Sequence, residues 1–259
     1  MRRATRMWKQ WRRGIDSSVR LERPSRSLLL IGSRGCESPP LDMKPKKPLS
    51  HQSNLRILAA NNCSDPLQQV DPQLTHLKSA SGLLLTISCR NSKDTTDSEF
   101  QWMTDLTEAN MRDHYQKSEY GWNRKQKEKE FRHETARILF VTPAAAAGDE
   151  APSPVAFVHF RFELDDEEKH PALYCYEIQV AKEQQSQGVG KHLMRVLREI
   201  GSRFKMYKVM LTCFKHNETT LSWYQSLGYT PDVCSPEKSG MNVSYFIMSS
   251  RIREAKGQK

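Results

Sequence analysis

Hydrophobic and polar side chains alternate along the middle of the chain, in the segment VAFVHFRFEL at residues 155–164. One side of the alternation is apolar throughout, with Ala156, Val158, Phe160 and Phe162. A period of two is typical of a β-strand. The segment ARILFV (136–141) lies one flexible loop earlier, TPAAAAGDEAPSP, so the two segments are predicted to pair as an antiparallel hairpin.

Further apolar segments have the length and the boundaries of strands. They are GLLLTIS (82–88), ALYCYEIQV (172–180), KVMLTCF (208–214) and NVSYFIMS (242–249). Segments whose apolar residues have helical spacing lie between these predicted strands. One helix is predicted to begin at Ser98, with Ser98 and Gln101 as a capping box. A second has one apolar face, formed by Val189, Leu193, Leu197, Ile200 and Phe204. A short third helix in NETTLSWYQSLGY ends at Gly228.

The segment SEYGWNRKQKEKEFRHE is predicted to turn at Gly121 and to continue as a helix whose charges form a solvated face. Taken together, these elements predict an α+β fold in which helices flank a mixed, mostly antiparallel sheet.

Almost all of the net charge lies in the first 50 residues, which hold 13 Lys or Arg and 4 Asp or Glu, whereas the whole chain is +10. We expect residues 1–54 to form a disordered basic arm, 55–250 the folded domain and 251–259 a short basic tail. The arm is open to three interpretations: a solvated tail, a nuclear-localisation or nucleic-acid-contacting patch, and an organelle transit peptide.

The six cysteines are scattered and include no C-x-x-C pair, so neither a metal site nor a disulfide scaffold is expected. Leu28–Ile31 is too short an apolar run for a membrane span or a secretory signal. We therefore expect reduced thiols, no membrane association, and a protein of the nucleus and cytoplasm that acts as a monomer.

The sequence QQSQGVGKHLM, residues 184–194, follows a predicted strand and opens a predicted helix. A Walker loop fails at Gln185 and His192, and a dinucleotide loop fails at Leu193. Glycines at a helix N-terminus let backbone N–H groups face one anion, and Lys191 adds a charge. A tight strand-to-helix turn without any ligand is the alternative.

In this order of elements, the loop resembles the Q/R-x-x-G-x-G/A pyrophosphate loop of the GCN5-related N-acetyltransferase (GNAT) superfamily. Together with SEYGW, VAFVHFRFE, YCYEIQV and VMLTCFKHN, it is similar to the N-alpha-acetyltransferase D (NatD) family over about residues 55–250. The resemblance implies a GNAT fold, acetyl-CoA as acetyl donor, and acetylation of the N-termini of type-4 and type-2A histones, whose tails begin Ser-Gly-Arg-Gly. Two positions depart from the family pattern, Tyr120 in place of Trp and Glu163 in place of Asp.

The resemblance also implies site residues. Those for the coenzyme are Ile178, Gln179 and Val180 at a strand end, Ser186, Gln187, Gly188, Val189, Gly190 and Lys191 in the loop, and Asn217. For Asn217, the role of a helix N-cap is an equal alternative. Those for the substrate are Tyr115, Glu163, Tyr176, Thr212 and Tyr245, although a single tyrosine is also an ordinary strand residue. The acidic run after Glu163 is expected to be a solvated loop.

Glu177 is the candidate general base, because an acid within the apolar and aromatic strand YCYEIQV is a poor choice for packing. The alternatives are that it points to solvent or pairs with a basic residue. The resemblance implies that Tyr176 and Glu177 both act near the amine, whereas strict alternation places them on opposite faces of the strand. We therefore predict a β-bulge that brings both to the amine. Backbone N–H near Val180 would stabilise the oxyanion.

The resemblance to the wider superfamily makes Tyr224 the candidate proton donor for the departing thiolate, with core packing as its alternative. Cys175 and Cys213 are expected to pack rather than react, and no metal is implied. Two other functions stay open: a GNAT enzyme for lysine side chains or small amines, and a non-catalytic chromatin-binding module whose arm contacts nucleic acid.

Overall fold

The computed structural model describes residues 49–144, 152–165 and 169–252. The predicted basic arm up to residue 48, Asp166–Glu168 of the acidic run, and the tail from residue 253 lie outside these described residues. No helix in the described part of the chain is long and apolar enough to cross a membrane.

The described residues form helices α1 to α5 and strands β1 to β8. The helices are α1 Leu49–Asn61, α2 Asp97–Gln116, α3 Arg124–Phe131, α4 Val189–Arg203 and α5 Glu218–Ser226. The strands are β1 His76–Lys78, β2 Leu84–Asn91, β3 Arg137–Pro143, β4 Ala156–Leu164, β5 Pro171–Val180, β6 Lys208–Phe214, β7 Thr230–Pro231 and β8 Tyr245–Arg251. The predicted strands and helices are therefore present, with their ends shifted by a few residues.

All eight strands join one sheet in the order β1-β2-β3-β4-β5-β6-β8-β7. The pair β5–β6 is parallel and the other neighbouring pairs are antiparallel, including the predicted β3–β4 pair. The α+β fold with a mixed, mostly antiparallel sheet is therefore confirmed.

Helices cover both faces of this sheet, as the alternation in β3 and β4 requires. Leu139 and Val158 belong to a core cluster with α1 and α4, while Phe140 and Phe157 pack on the other face against α2 and α3. His159 and Arg161, which alternate with the apolar set of β4, are also buried, because α3 covers their face.

The N-cap of helix α2 lies two residues before the predicted cap, Ser98. Its N-cap is Thr96, whose hydroxyl accepts a hydrogen bond from the Glu99 backbone N–H while the Glu99 carboxylate accepts one from the Thr96 N–H. The predicted capping box of Ser98 and Gln101 is therefore wrong. Both segments match the same S/T-x-x-E/Q pattern, and the extended backbone of Thr96 decides between them.

This capping box predicts unequal effects of two neighbouring substitutions. Thr96→Ala removes the side chain that accepts from the first turn, so we expect it to lower the free energy of unfolding by about 1 kcal/mol. Ser98→Ala, the matched control within the helix, should change it by no more than about 0.5 kcal/mol. Urea denaturation of both variants measures this difference, and equal losses would contradict the assignment of Thr96 as the cap.

Candidate active site

A β-bulge interrupts the pairing of β4 with β5 at Tyr176. His159 lies opposite Glu177 and Phe160 lies opposite Cys175, so Tyr176 is the extra residue. Cys175 faces the cluster beneath α4, whereas the Tyr176 ring stacks on His159 and Glu177 bonds to a side chain of α3. The predicted bulge is present, and it brings Tyr176 and Glu177 to the same face of the sheet.

Immediately beyond the bulge, β5 and β6 separate. Their pairing ends at Cys175 and Leu211, although β5 continues to Val180 and β6 to Phe214. A cleft of about 1220 Å³ opens there, lined by both strands, by the loop before α4 and by α5. Most of the residues predicted to contact coenzyme and substrate line this one cleft: Tyr115, Glu163, Tyr176, Glu177, Ile178, Gln179, Val180, Ser186, Gly188, Gly190, Lys191, Thr212, Asn217, Tyr224 and Tyr245.

The glycine loop, residues 186–191 at the end of the cleft, includes backbone in the left-handed region that favours glycine. Gly188 is the N-cap of α4 with φ 87°, and Ser186 also has a positive φ of 60°. No side chain caps α4, so its first backbone N–H groups have no side-chain acceptor, and Gly188, Gly190 and Lys191 line the cleft there. Gly190 lies beneath Trp223, where an added Cβ would meet the indole at 3.4 Å. This helix end is a suitable site for an anion.

Two residues of the predicted loop set do not line the cleft. The side chain of Val189 is buried in the core, and the carbonyl of Gln187 accepts a hydrogen bond from the Ala80 N–H. The Val189 side chain is therefore not available to a ligand in the cleft. Asn217 caps α5, since its side chain accepts from the Thr220 N–H at 3.3 Å, and it lines the cleft as well.

Polar side chains fix the end of β5 on the other side of the cleft. Asn110, from α2, donates to the side-chain oxygen of Gln179 at 2.8 Å and to the carbonyl of Val180 at 3.1 Å. Gln185 donates to the same carbonyl at 3.1 Å. Asn110 was not singled out from the sequence, in which it is one polar residue on an amphipathic helix.

Glu177 is buried and held by two donors, with 7 % of its side chain exposed. Its Oε2 accepts from Lys127 Nζ at 3.1 Å, and its Oε1 accepts from Gln179 Nε2 at 2.7 Å. Of the two alternatives to a catalytic role, exposure to solvent is excluded and pairing with a basic residue is observed. The pairing leaves the carboxylate on the cleft wall beside Tyr176.

Lys127 is a second residue of the site that was not singled out from the sequence. It lies in the charged run of α3, which was predicted to be a solvated face, yet only 5 % of its side chain is exposed. That prediction is wrong for this residue. The available signal was helical spacing, because Lys127 and the buried Phe131 are separated by four residues and so share one face of the helix.

Tyrosines line the part of the cleft opposite the glycine loop. The Tyr176 hydroxyl donates to Glu163 at 2.9 Å, and the Tyr174 hydroxyl lies 2.6 Å from the Thr212 hydroxyl. Tyr245 packs against Tyr120 with ring centroids 5.4 Å apart. Tyr115 is held by Lys127, whose ammonium donates to its hydroxyl at 2.8 Å. The predicted substrate residues therefore form an aromatic wall with a carboxylate at its edge.

Tyr224 lies at the floor of the cleft, where α5 approaches both diverging strands. Its ring is buried in the core cluster, as the packing interpretation expects, and it also lines the cleft. Burial raises the pKa of Tyr224 well above its ordinary value, so the hydroxyl keeps its proton at neutral pH.

The acidic run after Glu163 is only partly described, and the prediction of a solvated loop is wrong for its first residue. Asp165 is buried and lies 3.2 Å from the ammonium of Lys208, which also bonds to Asp232 at 2.8 Å. Although burial acts to raise it, the bond from Lys208 lowers the pKa of Asp232 to about 2. This buried cluster fixes the start of β6 behind the aromatic wall.

The cysteines within β5 and β6 are buried. Desolvation raises the pKa of Cys175 well above its ordinary value and raises the pKa of Cys213 to about 12, so both stay thiols at neutral pH, as the packing role predicts. No group of three or more His, Cys, Asp or Glu side chains in residues 49–144, 152–165 and 169–252 is placed to hold a metal ion.

Residues 103–229, which carry the bulge, the glycine loop and α5, match the family model described as acetyltransferase (GNAT) family. A crystal structure of a GNAT-family acetyltransferase from Listeria monocytogenes is 14 % identical and covers 68 % of this chain and 99 % of its own, with a TM-score of 0.48. A crystal structure of Arabidopsis thaliana NAA60 with a bisubstrate analogue is 11 % identical and covers 66 % of this chain and 100 % of its own, with a TM-score of 0.47. A crystal structure of the ribosomal-protein-S18-alanine N-acetyltransferase from Escherichia coli is 17 % identical and covers 67 % of this chain and 97 % of its own, with a TM-score of 0.43.

Proposed function

We propose that this chain is an acetyltransferase of the GNAT family, whose model matches residues 103–229, and that it acetylates the α-amino group of protein N-termini. The proposal is carried by one observation, the bulge that brings Tyr176 and Glu177 together on the wall of the cleft. The N-terminus of α4 and the aromatic wall line the same cleft, which supports the proposal.

Acetyl-CoA is the acetyl donor of this reaction, and the residues of the cleft fit it. The uncapped N-terminus of α4, with Gly188 and Lys191, would bind the pyrophosphate. The gap between β5 and β6 would admit the pantetheine, and the end of β5 at Ile178–Val180 would orient it. Asn217 lies at the opposite wall, where it can contact the coenzyme while capping α5.

Glu177 acts as the general base, directly or through a water molecule. A peptide α-amine titrates near pH 8 and a lysine side chain near pH 10.4, so the N-terminal amine needs much less help to lose its proton. The amine nitrogen forms a bond to the acetyl carbon, and the carbon–sulfur bond breaks with its electron pair leaving on sulfur. The proton of the amine passes to Glu177, and the buried hydroxyl of Tyr224 supplies a proton to the thiolate.

The chemistry of the wall favours a basic peptide. Glu163 is bound to the Tyr176 hydroxyl at the edge of the cleft, and a carboxylate there attracts an arginine or lysine near the substrate N-terminus. From the resemblance to the NatD family we take core histones of types 4 and 2A, whose tails begin Ser-Gly-Arg-Gly, as the proposed partners, acetylated in the nucleus and cytoplasm. Tyrosine rings supply narrow walls, with hydroxyls for the peptide backbone.

A pair of peptides tests the proposal. One begins Ser-Gly-Arg-Gly with a free amine and contains a lysine, and the other has the same sequence with its N-terminus blocked. We expect acetyl-CoA-dependent acetylation of the free N-terminus alone, located by tandem mass spectrometry. Acetylation of the blocked peptide at its lysine would instead favour a lysine acetyltransferase. Binding of acetyl-CoA without turnover on any amine would favour a non-catalytic module.

A further inference from the structure

Helix α3, Arg124–Phe131, carries three lysines in very different environments. Lys125 and Lys129 are exposed, whereas Lys127 points inward and is buried. Burying an ammonium costs free energy unless charged and hydrogen-bonding partners compensate for its lost hydration. A buried lysine next to a candidate catalytic carboxylate therefore calls for an account of what its charge does.

Three oxygen atoms surround the ammonium of Lys127. It donates to the Tyr115 hydroxyl at 2.8 Å, to Glu130 Oε1 at 3.1 Å and to Glu177 Oε2 at 3.1 Å. Although burial acts to lower it, the charge of Glu130 and the neighbouring Tyr115 and Glu177 raise the pKa of Lys127 well above its ordinary value. The side chain is therefore a permanent cation between two carboxylates.

The second oxygen of Glu177 is fixed independently. Gln179 donates to it at 2.7 Å, and Asn110 in turn donates to the carbonyl oxygen of Gln179, which sets the orientation of that amide. Lys127 and Gln179 thus hold the carboxylate from both sides. Lys127 supplies charge in addition, whereas Gln179 supplies orientation alone.

Several ionisable groups from different elements surround the pair. They are Tyr115 from α2, Glu130 from α3, His159 from β4, Cys175 and Tyr176 from β5, and Tyr224 from α5. Burial lowers the pKa of His159 well below its ordinary value, and burial raises the pKa of each tyrosine, so these groups are neutral near pH 7. The charges around Glu177 are therefore those of Lys127 and Glu130, together with the buried Arg161, whose guanidinium lies over the Tyr176 ring at 4.3 Å.

We propose that Lys127 is a positioning residue that supplies the counter-charge of the Glu177 carboxylate and aims it at the cleft. The inference rests on the acetyl transfer proposed above, with Glu177 as its base. Without Lys127, the buried Glu177 would lie close to the carboxylate of Glu130 and would take up a proton before an amine could use it. Lys127 supplies the counter-charge that this buried carboxylate requires.

The experiment measures kcat/KM against pH for the full-length wild type, Lys127→Met, Lys127→Arg and Lys125→Met with acetyl-CoA and the free-amine peptide. In the wild type, the acid side of the profile should follow one ionisation, that of the substrate amine. In Lys127→Met, the ionisation of Glu177 should enter the same range, so the slope steepens to two ionisations. At pH 7, kcat/KM should fall roughly 10- to 30-fold, mostly through kcat.

Three comparisons separate this role from a loss of folding. Lys127→Arg should restore the single-ionisation slope because it keeps the charge, and the exposed Lys125→Met should match the wild type. Lys127→Met combined with Glu177→Gln should be no slower than Glu177→Gln alone, and its thermal unfolding should show that the neutral pair folds. An unchanged slope in a folded Lys127→Met would overturn the inference, whereas a wild type without turnover would instead overturn the proposed function.

Discussion

Glu177→Gln should lower kcat by roughly 10²- to 10⁴-fold, the contribution of a positioned general base. Glutamine has nearly the same shape as glutamate and can still accept one hydrogen bond from Lys127 or Gln179, so the cleft should keep its form. The acetyl-CoA site lies at the glycine loop and the end of β5, so binding of acetyl-CoA should be unchanged. Initial rates and isothermal titration calorimetry measure the two quantities separately.

Glu183→Gln is the matched control, because Glu183 is exposed just after the end of β5 and does not line the cleft. It should retain the kcat of the wild type. If kcat of Glu177→Gln stayed within about threefold of the wild type, Glu177 would not be the base. In that case, the ion pair with Lys127 would have a purely structural role.

Each strand has a clear apolar pattern, and helices cover both faces of the sheet, so the architecture could be predicted from the sequence. The bulge could also be predicted, because the resemblance assigns Tyr176 and Glu177 to the same substrate amine, whereas a regular strand would place these adjacent residues on opposite faces. Its position follows from the pairing of His159 with Glu177 and of Phe160 with Cys175. A conflict between local regularity and a shared chemical role therefore located a functional irregularity.

The missed features share a different cause, which is that partners distant in sequence override a local pattern. Lys127 lies within a run of charges, and its environment is set by Glu177, fifty residues later in the chain. Asp165 begins an acidic run, yet it is buried because Lys208 reaches it from β6. Spacing along one helix or loop cannot reveal such partners, because a charge is buried only where the fold supplies its counter-charge.

The second large effect is expected at the glycine loop. Gly188 has φ 87° at the start of α4, and an added Cβ would meet no atom within 4 Å, so a substitution there strains the backbone without causing a clash. A β-branched residue at positive φ costs about 1–3 kcal/mol. Gly188→Val can relieve that strain by rotating the loop, which turns the first N–H groups of α4 away from the pyrophosphate.

We therefore expect Gly188→Val to raise the Kd for CoA roughly 100-fold, equivalent to about 2.7 kcal/mol, the contribution of one or two hydrogen bonds to a charged group. Gly240→Val is the matched control, because Gly240 also has a positive φ of 72° and open space around it but does not line the cleft. The two variants should lose similar thermal stability, while calorimetry with CoA should show weakened binding for Gly188→Val alone. Equal affinities would mean that Gly188 serves only the strand-to-helix turn, and the loop would then have no part in binding the coenzyme.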